Sequence, residues 1–390
     1  MRNYRFRLYP TDHQERKLIV SLETSRWVYN YFLNHPTMSL QDMQFALTEL
    51  KEEEPWLQNF HSKMLQMVVH RIDGSRKALK VLQRNGHKTG KIAFAKSKDS
   101  NSFTYNQSGF KIVRHGNTDL LWLSKIGYIQ LRLHRLVQHI KQITILRETN
   151  EWYAIICCEV SNRLFTFIDP RRSVGIDVGI TKFSHDSDNH TISNPLYLTK
   201  TMKPLRRANR RLSRRREGSN NWNKAKTWLQ ILHQRIKRKR RDFAHKASHY
   251  YSQKYDIIFL ERLHTLNMVK NSHLARHVLD SGWGTFKTLT EYKAKMTIDV
   301  NPKNTSVACS RCARNVPKSL AVRIHKCDGC GLVIDRDYNA SLNIKRRGFC
   351  FLPQELREVT PVEILRESMK QEESTNMVES SQSLLSCQLQ

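Results

Sequence analysis

Residues 327–344 read CDGCGLVIDRDYNASLNI: a cysteine pair of metal-binding type set directly against two aspartates, Asp335 and Asp337, and a helix-like segment. Soft sulfur and hard carboxylate ordinarily select different ions. The question the stretch raises is why one short segment carries both, and where in the chain each finds its partners.

The sulfur side is completed nearby. Cys309 and Cys312 form a second C-x-x-C in CSRCARNVPKSLAVRIHKCDGC, fourteen residues ahead of Cys327 and Cys330. Two such turns can point four thiolates at one tetrahedral ion, and a site of four thiolates has no position open for water. A structural zinc ribbon is the expectation, with His325 as a polar neighbour rather than a ligand. Redox motifs of the thioredoxin kind fit less well, because neither pair opens a helix after a strand. The other cysteines, Cys157, Cys158, Cys350 and Cys387, have no partner spacing and read as buried or idle thiols.

The carboxylate side draws on distant segments. SVGIDVGI is a short apolar strand interrupted by Asp177, and YDIIFLER is another that closes on Glu261. Bunched carboxylates repel one another unless divalent cations lie between them, which is the arrangement a two-metal phosphoryl-transfer enzyme uses. Each acid alone reads as a cap or turn residue, Asp337 ahead of NASL above all. Only the set of three points to chemistry.

Charge narrows the partner. The 390 residues hold 66 lysines and arginines against 35 acidic residues, a formal +31, while 39% are apolar and can fill two or three cores. No apolar run reaches the roughly 18–20 residues of a membrane span. The opening MRNYRFRLYP has no signal-peptide core, so the expected location is the cytoplasm or nucleoid and the expected partner is nucleic acid.

Texture divides the chain into a strand-rich domain over 1–170, with a helical insertion at about 12–84, a second domain over 171–349, and a tail over 350–390 rich in Ser, Glu and Gln that is expected to be disordered beyond 367. A long helical region, 203–255, is broken at EGSNN. Its first half sets Arg207, Arg210, Arg211 and Arg214 on one face; its second carries Lys237, Arg238, Lys239, Arg240 and Arg241 beside an apolar stripe. A solvated charge run is the plain alternative to nucleic-acid contact for both.

The order GIDVGI, then FLERL followed by NMVKNSHLARHVLDSGWGTF, then NPKNTSVACSRC and CDGCGLVIDRDYNASLNI resembles the OrfB-type transposon proteins called TnpB, relatives of the type V CRISPR effectors. The opening YRFRLYPTDHQERKL, with WVYNYFLN behind it, is similar to that family's N-terminus. The likeness runs to about residue 365. It implies an RNA-guided DNA endonuclease of multidomain α/β build: a β-barrel-like, wedge-like domain with a helical insertion, then a RuvC-like RNase H fold with a zinc ribbon inserted at about 301–331. By motif, Asp177, Glu261 and Asp337 fall on the catalytic acids that hold Mg²⁺ or Mn²⁺, and Asp335 on a neighbouring acid that is no ligand. The opening question then has an answer: sulfur staples a small module, and the acids beside it belong to another metal centre.

The resemblance also implies a guide RNA and target DNA as partners, a separate single-strand transposase from the same element, and reading of a flanking DNA motif by the N-terminal half, with Lys63, Gln66, Thr104 and Asn106 as candidates. Two departures stand out. TEYKAKMTIDVNPKN is several residues shorter than the family's link, which would reduce activity if the preceding helix helps to wall the nuclease site. CSRCARN lacks the glycine usual after the second cysteine. Two other readings stay open: a guide-dependent repressor with a decayed nuclease, and a guide-independent zinc-ribbon DNA-binding protein.

Overall fold

The computed structural model describes residues 1–97, 100–159, 167–319 and 322–358. The chain forms two compact units, 1–163 and 164–390. The tail expected to be disordered beyond 367 lies outside the described residues. Among the described residues, no helix is long and apolar enough to cross a membrane.

In the first unit, strand β1 (Arg2–Tyr9) buries Phe6 and Leu8, one side of its alternation. Helix α1 (Asp12–Leu33) starts at a capping box in which Thr11 and Gln14 satisfy each other's free amides, and α2 (Leu40–Glu53) repeats the device with Ser39 and Asp42. A 3₁₀ turn, Pro55–Asn59, leads to α3 (Ser62–Arg84), whose buried Met64, Leu65, Val68, Val69 and Ile72 follow helical spacing. Six strands come next: β2 (Ser102–Asn106), β3 (Phe110–His115), β4 (Thr118–Leu123), β5 (Gly127–Arg132), β6 (Ile140–Glu148) and β7 (Glu151–Cys158). With β1 they form an antiparallel sheet in the order β2-β6-β7-β1-β5-β4-β3. One core joins the sheet to all three helices.

Among the described residues, the barrel expected here is not closed by backbone pairing, because β2 and β3 are the two edges of the sheet. A side chain spans part of the gap: Tyr105 Oη of β2 donates to the Ser124 carbonyl after β4 at 3.0 Å.

The second unit opens with β8 (Ser173–Val178), β9 (Lys182–Asp186) and β10 (Thr191–Ser193). Helices α4 (Tyr197–Ser213) and α5 (Asn220–Lys254) carry the chain to β11 (Ile257–Glu261). Then come α6 (Thr265–Val269), α7 (Ser272–Ser281), α8 (Trp283–Lys293) and β12 (Met296–Val300). The main sheet runs β10-β9-β8-β11-β12, with β11 parallel to both β8 and β12 and β9 antiparallel to β8 and β10. A parallel neighbour needs a long crossover, which α4 and α5 provide. Past β12, the hairpin strands β13 (Ile324–Lys326) and β14 (Val333–Asp335) pair only with each other, and α9 (Arg336–Cys350) and α10 (Gln354–Glu358) follow.

Strand periodicity sorts the faces of this sheet. Val174, Ile176, Ile258 and Leu260 pack against Ala244, Ala247 and Tyr251 of α5 and Phe286 of α8. Ile257 and Phe259 turn the other way and join Ile344 and Phe349 of α9, with Leu352 beyond it. A sheet covered on both sides explains why SVGIDVGI and YDIIFLER read as continuous apolar runs.

Glycine sets how closely α9 lies on the sheet. A Cβ on Gly175 would stand 2.3 Å from the Ser341 carbonyl oxygen and 2.5 Å from Lys345 N, and one on Gly348 would stand 2.1 Å from the Phe259 ring. No side chain fits at either point: strand backbone meets helix backbone at Gly175, and the Phe259 ring lies directly on the helix backbone at Gly348.

Candidate functional site

Asp177 and Glu261 reach the same place by strand geometry. β8 and β11 are parallel, with Gly175 opposite Phe259 and Ile176 opposite Leu260, so residues 177 and 261 come next in register. Both share the parity of Gly175 and Phe259 and project toward α9. Asp337 lies in the first turn of that helix. Three acids separated by 84 and 76 positions in sequence are thus gathered at one corner of the sheet.

The electrostatics agree with the geometry. Burial pushes the Asp177 carboxyl well above its usual range; Glu261 and then Asp337 push it further, against a weaker pull from Arg336 and the Val178 amide. Burial also raises Glu261, offset in part by a hydrogen bond from Thr305 Oγ1 to Oε1 at 2.5 Å and by Arg347. Crowded carboxylates of this kind are costly when ionised and are relieved by a cation. Their hard oxygens fit Mg²⁺ or Mn²⁺ and do not fit a thiophilic ion.

The helix cap falls on the neighbouring acid. Asp335 is the N-cap of α9 and accepts from the amides of Asp337 and Tyr338 at 2.8 and 3.2 Å. It also pairs with Lys182 Nζ at 3.0 Å and His185 Nδ1 at 3.4 Å. Burial pushes its carboxyl up, but Lys182 and the two amides outweigh that and hold it below its usual range. With Asp335 so engaged, Asp337 is not needed as a cap. Strand β14, which ends at Asp335, belongs to the small hairpin, and Asp337 enters on the helix.

The cysteines form the second centre. All four sulfurs lie within 4.8 Å of one another, the tight metal-sized group found among the described residues. Cys309 Sγ is 3.6 Å from Cys330 Sγ, and Cys312 Sγ is 3.5 Å from Cys327 Sγ. Thiolates held 2.3 Å from a central tetrahedral zinc stand about 3.8 Å apart, so the set fits Zn²⁺. The three carboxylates form no group this tight.

The two cysteine turns are near copies. Ala313 N donates to the Cys309 carbonyl and Gly331 N to the Cys327 carbonyl, both at 2.9 Å. Gly331 has φ +71° and Ala313 φ +63°. The missing glycine noted in CSRCARN therefore places an alanine in the left-handed region, at a cost of about 1 kcal/mol. His325 is buried outside the sulfur group with Nδ1 against Lys318 Nζ; burial and that ammonium push its imidazole pKa down.

The basic residues divide. Arg207, Arg210, Arg211 and Arg214 are all exposed on α4, opposite Leu205 and Ala208, which pack on Leu232 and Ile236 of α5. Lys237, Arg238, Lys239 and Arg241 are also exposed. Arg240 is a correction: it turns inward and pairs with buried Asp280, Nε and Nη2 at 2.8 and 2.7 Å from Oδ1. Four residues after Ile236, it shares the packed side of α5 rather than the charged one. In the first unit, Lys63, Gln66 and Asn106 come together around a polar cavity of about 410 Å³ with Gln44, His70 and Gln107. Thr104 does not join them; its hydroxyl meets Thr144 Oγ1 at 2.8 Å.

Sequence reading missed two features. A larger cavity, about 590 Å³, has His13, Arg16, Lys17, His61 and Lys125 over Phe60 and Tyr105; its residues come from several elements and leave no local pattern. The second is a set of buried polar residues, Thr305, Asn339 and Asn343. Two asparagines four apart in NASLN, on the inner side of a helix, were the available signal.

Fold and site thus define a basic α/β protein of two units with a carboxylate corner and a separate four-thiolate module. The OrfB_IS605 family model, described as a "Probable transposase", matches residues 156–272. A "Cas12f1-like, TNB domain" model matches 283–344, and a "Helix-turn-helix domain" model of the same family matches 1–40. A Streptomyces pristinaespiralis protein named "Putative RNA-guided DNA endonuclease" is 30% identical over 369 residues, 89% of each chain. "Putative RNA-guided DNA endonuclease InsQ" of Escherichia coli K12 is 28% identical over 382 residues, 90% of this chain and 92% of that one. Among solved structures, a chain of the Cas12f1-sgRNA-target DNA complex superposes with a TM-score of 0.52 at 16% identity, covering 85% of this chain and 81% of that one. The chain belongs to the OrfB/TnpB family of transposon proteins.

Proposed function

We propose that the chain is a transposon-encoded, RNA-guided DNA endonuclease that depends on divalent metal and cuts target DNA beside a short flanking motif. The observation that carries this reading is the placement of Asp177 and Glu261 in adjacent register on one sheet face, beneath the helix that brings Asp337. The strand order β10-β9-β8-β11-β12 supports a RuvC-like RNase H nuclease domain over 171–349, with a zinc ribbon at about 301–331. Residues 1–170 serve as the wedge-like domain.

Bound divalent ions supply activation of water and stabilisation of the leaving oxygen in phosphodiester hydrolysis. Asp177, Glu261 and Asp337 hold those ions on the catalytic corner, while Asp335 fixes the start of α9. Cys309, Cys312, Cys327 and Cys330 hold a structural Zn²⁺. The arginine face of α4, with Lys237, Arg238, Lys239 and Arg241 of α5, contacts the phosphates of guide RNA and target DNA; Arg240 has a structural duty instead. Lys63, Gln66 and Asn106, which share one polar cavity, read the flanking motif, with Thr104 of the same strand as Asn106 a further candidate outside that cavity. A single-strand transposase from the same element would perform strand joining.

The test is a guide exchange. RNA that copurifies with the full-length protein is sequenced, its guide segment is replaced, and plasmids matching the old and the new guide are offered with Mg²⁺. Cutting is expected to move to the new match. Cutting that ignores the guide contradicts the reading in favour of a guide-independent DNA-binding protein, and guide-following binding without any cutting contradicts it in favour of a repressor.

A further inference from the structure

Glu261 lies at the end of a flexible side chain, and its strand fixes only where that side chain begins. Burial alone does not decide which way the carboxylate faces. The structure supplies a donor: Thr305 Oγ1, 2.5 Å from Glu261 Oε1. Thr305 is itself 4% exposed and branched at Cβ, so its own rotamer is restricted.

Thr305 is held in turn from α9. Asn343 Nδ2 donates to the Thr305 carbonyl at 2.8 Å and to the Ala308 carbonyl at 2.7 Å. One turn earlier, Asn339 Nδ2 donates to the same Ala308 carbonyl at 2.7 Å, and its Oδ1 accepts from Ser310 N at 2.8 Å. Both asparagines have no exposed surface. Residues 305–310 run into the first cysteine turn at Cys309, and the clamping helix is the one that presents Asp337. The thiolate module and the acid corner are thus tied together by buried hydrogen bonds to the same short segment.

We infer that Thr305 is a positioning residue: fixed by Asn343, and through Asn339 by the first cysteine turn, it aims the Glu261 carboxylate so that one oxygen is occupied and the other is presented to a divalent ion. The inference rests on the reading of the three acids as a divalent-ion centre. In this arrangement the ribbon does more than bind zinc, because its base sets the orientation of one of the acids. Partners that orient a metal-binding carboxylate are typically worth about 10–100-fold in metal affinity.

The experiment measures Mn²⁺ binding to the full-length, zinc-loaded protein by the electron paramagnetic resonance of free Mn²⁺. Thr305→Val keeps the shape and removes the donor; Thr305→Ser keeps the donor. The expected result is Mn²⁺ affinity weakened about tenfold or more in the valine variant and restored by serine. Bound zinc should stay unchanged in both. Half-saturating Mg²⁺ for cleavage should rise in parallel, with cutting recovered at high Mg²⁺. Wild-type Mn²⁺ affinity in the valine variant would overturn the inference. Should that variant lose zinc, Thr305→Ala takes its place with the same two outcomes. Glu261→Gln separates the levels: if it binds Mn²⁺ as the wild type does, the acid centre itself is wrong, whereas loss there beside wild-type binding in Thr305→Val defeats only the positioning role.

Discussion

Asp177→Asn is expected to abolish DNA cutting and, at neutral pH without divalent ions, to make the protein more stable. The two effects have one cause. Burial and the charges of Glu261 and Asp337 raise the Asp177 pKa, so ionisation is paid for by the folded state. A folded-state pKa above the unfolded one means the folded protein binds more protons between the two values. Stability without metal is therefore full below the ordinary carboxylate pKa and falls as pH rises through the raised one. The asparagine carries no charge and escapes this loss. Cutting should drop by about 10³-fold or more, because an ion ligand is gone. The melting temperature of the metal-free variant at pH 7.5 should rise by about 2–4 °C for each kcal/mol relieved. Added Mg²⁺ should raise the wild-type melting temperature and leave the variant's nearly unchanged. Thermal melts at pH 5 and 7.5, with and without Mg²⁺, check all of this; a variant that melts lower than wild type at pH 7.5 without metal contradicts it.

Cys309→Ser should have the second large effect, through folding rather than chemistry. Between residues 301 and 335 the buried apolar side chains described are Ala308, Cys309 and Cys327, while Val322, Ile324 and Val333 are 43–59% exposed. The hairpin strands are three residues each. So little apolar burial cannot offset the entropy of ordering the segment, and zinc binding has to supply the difference. The expected result is loss of stoichiometric zinc, rapid proteolysis confined to about 301–335, and loss of cutting. The first unit, with its own core, should stay resistant. Zinc content by mass spectrometry of the intact protein and limited proteolysis read the outcome. A variant that loses zinc yet resists protease in this segment would show that the thiolates are not its staple.

The features legible in the sequence were those carried by local pattern. The cysteine spacing is a short-range geometric fact, and the sulfurs stand as the spacing requires. The buried strands announced themselves as apolar runs because both sheet faces are covered. The acids could be picked out only as a set, since register between strands 84 positions apart is a tertiary property. Four things were not legible for physical reasons. Asp335 and Asp337 differ by two positions, and only the helix start, with Lys182 across from it, tells which is the cap. Arg240 sits inside a basic run, but its partner Asp280 lies forty residues on. Gly175 reads as a flank to Asp177, whereas its role is to admit the backbone of a helix that begins 161 residues later. The open ladder of the first sheet was likewise invisible, because edge pairing leaves no mark on alternation.

The central claim is that Asp177, Glu261 and Asp337 converge to hold divalent ions apart from the sulfur site, and anomalous diffraction from crystals grown with Mn²⁺ tests it most directly. The account predicts manganese peaks bounded by these three carboxylates, at about the 2.0–2.2 Å reach of hard oxygen ligands, and a zinc peak among the four cysteines. Manganese absent from that corner in crystals where it binds elsewhere, or three carboxylates turned away from one another, would contradict it.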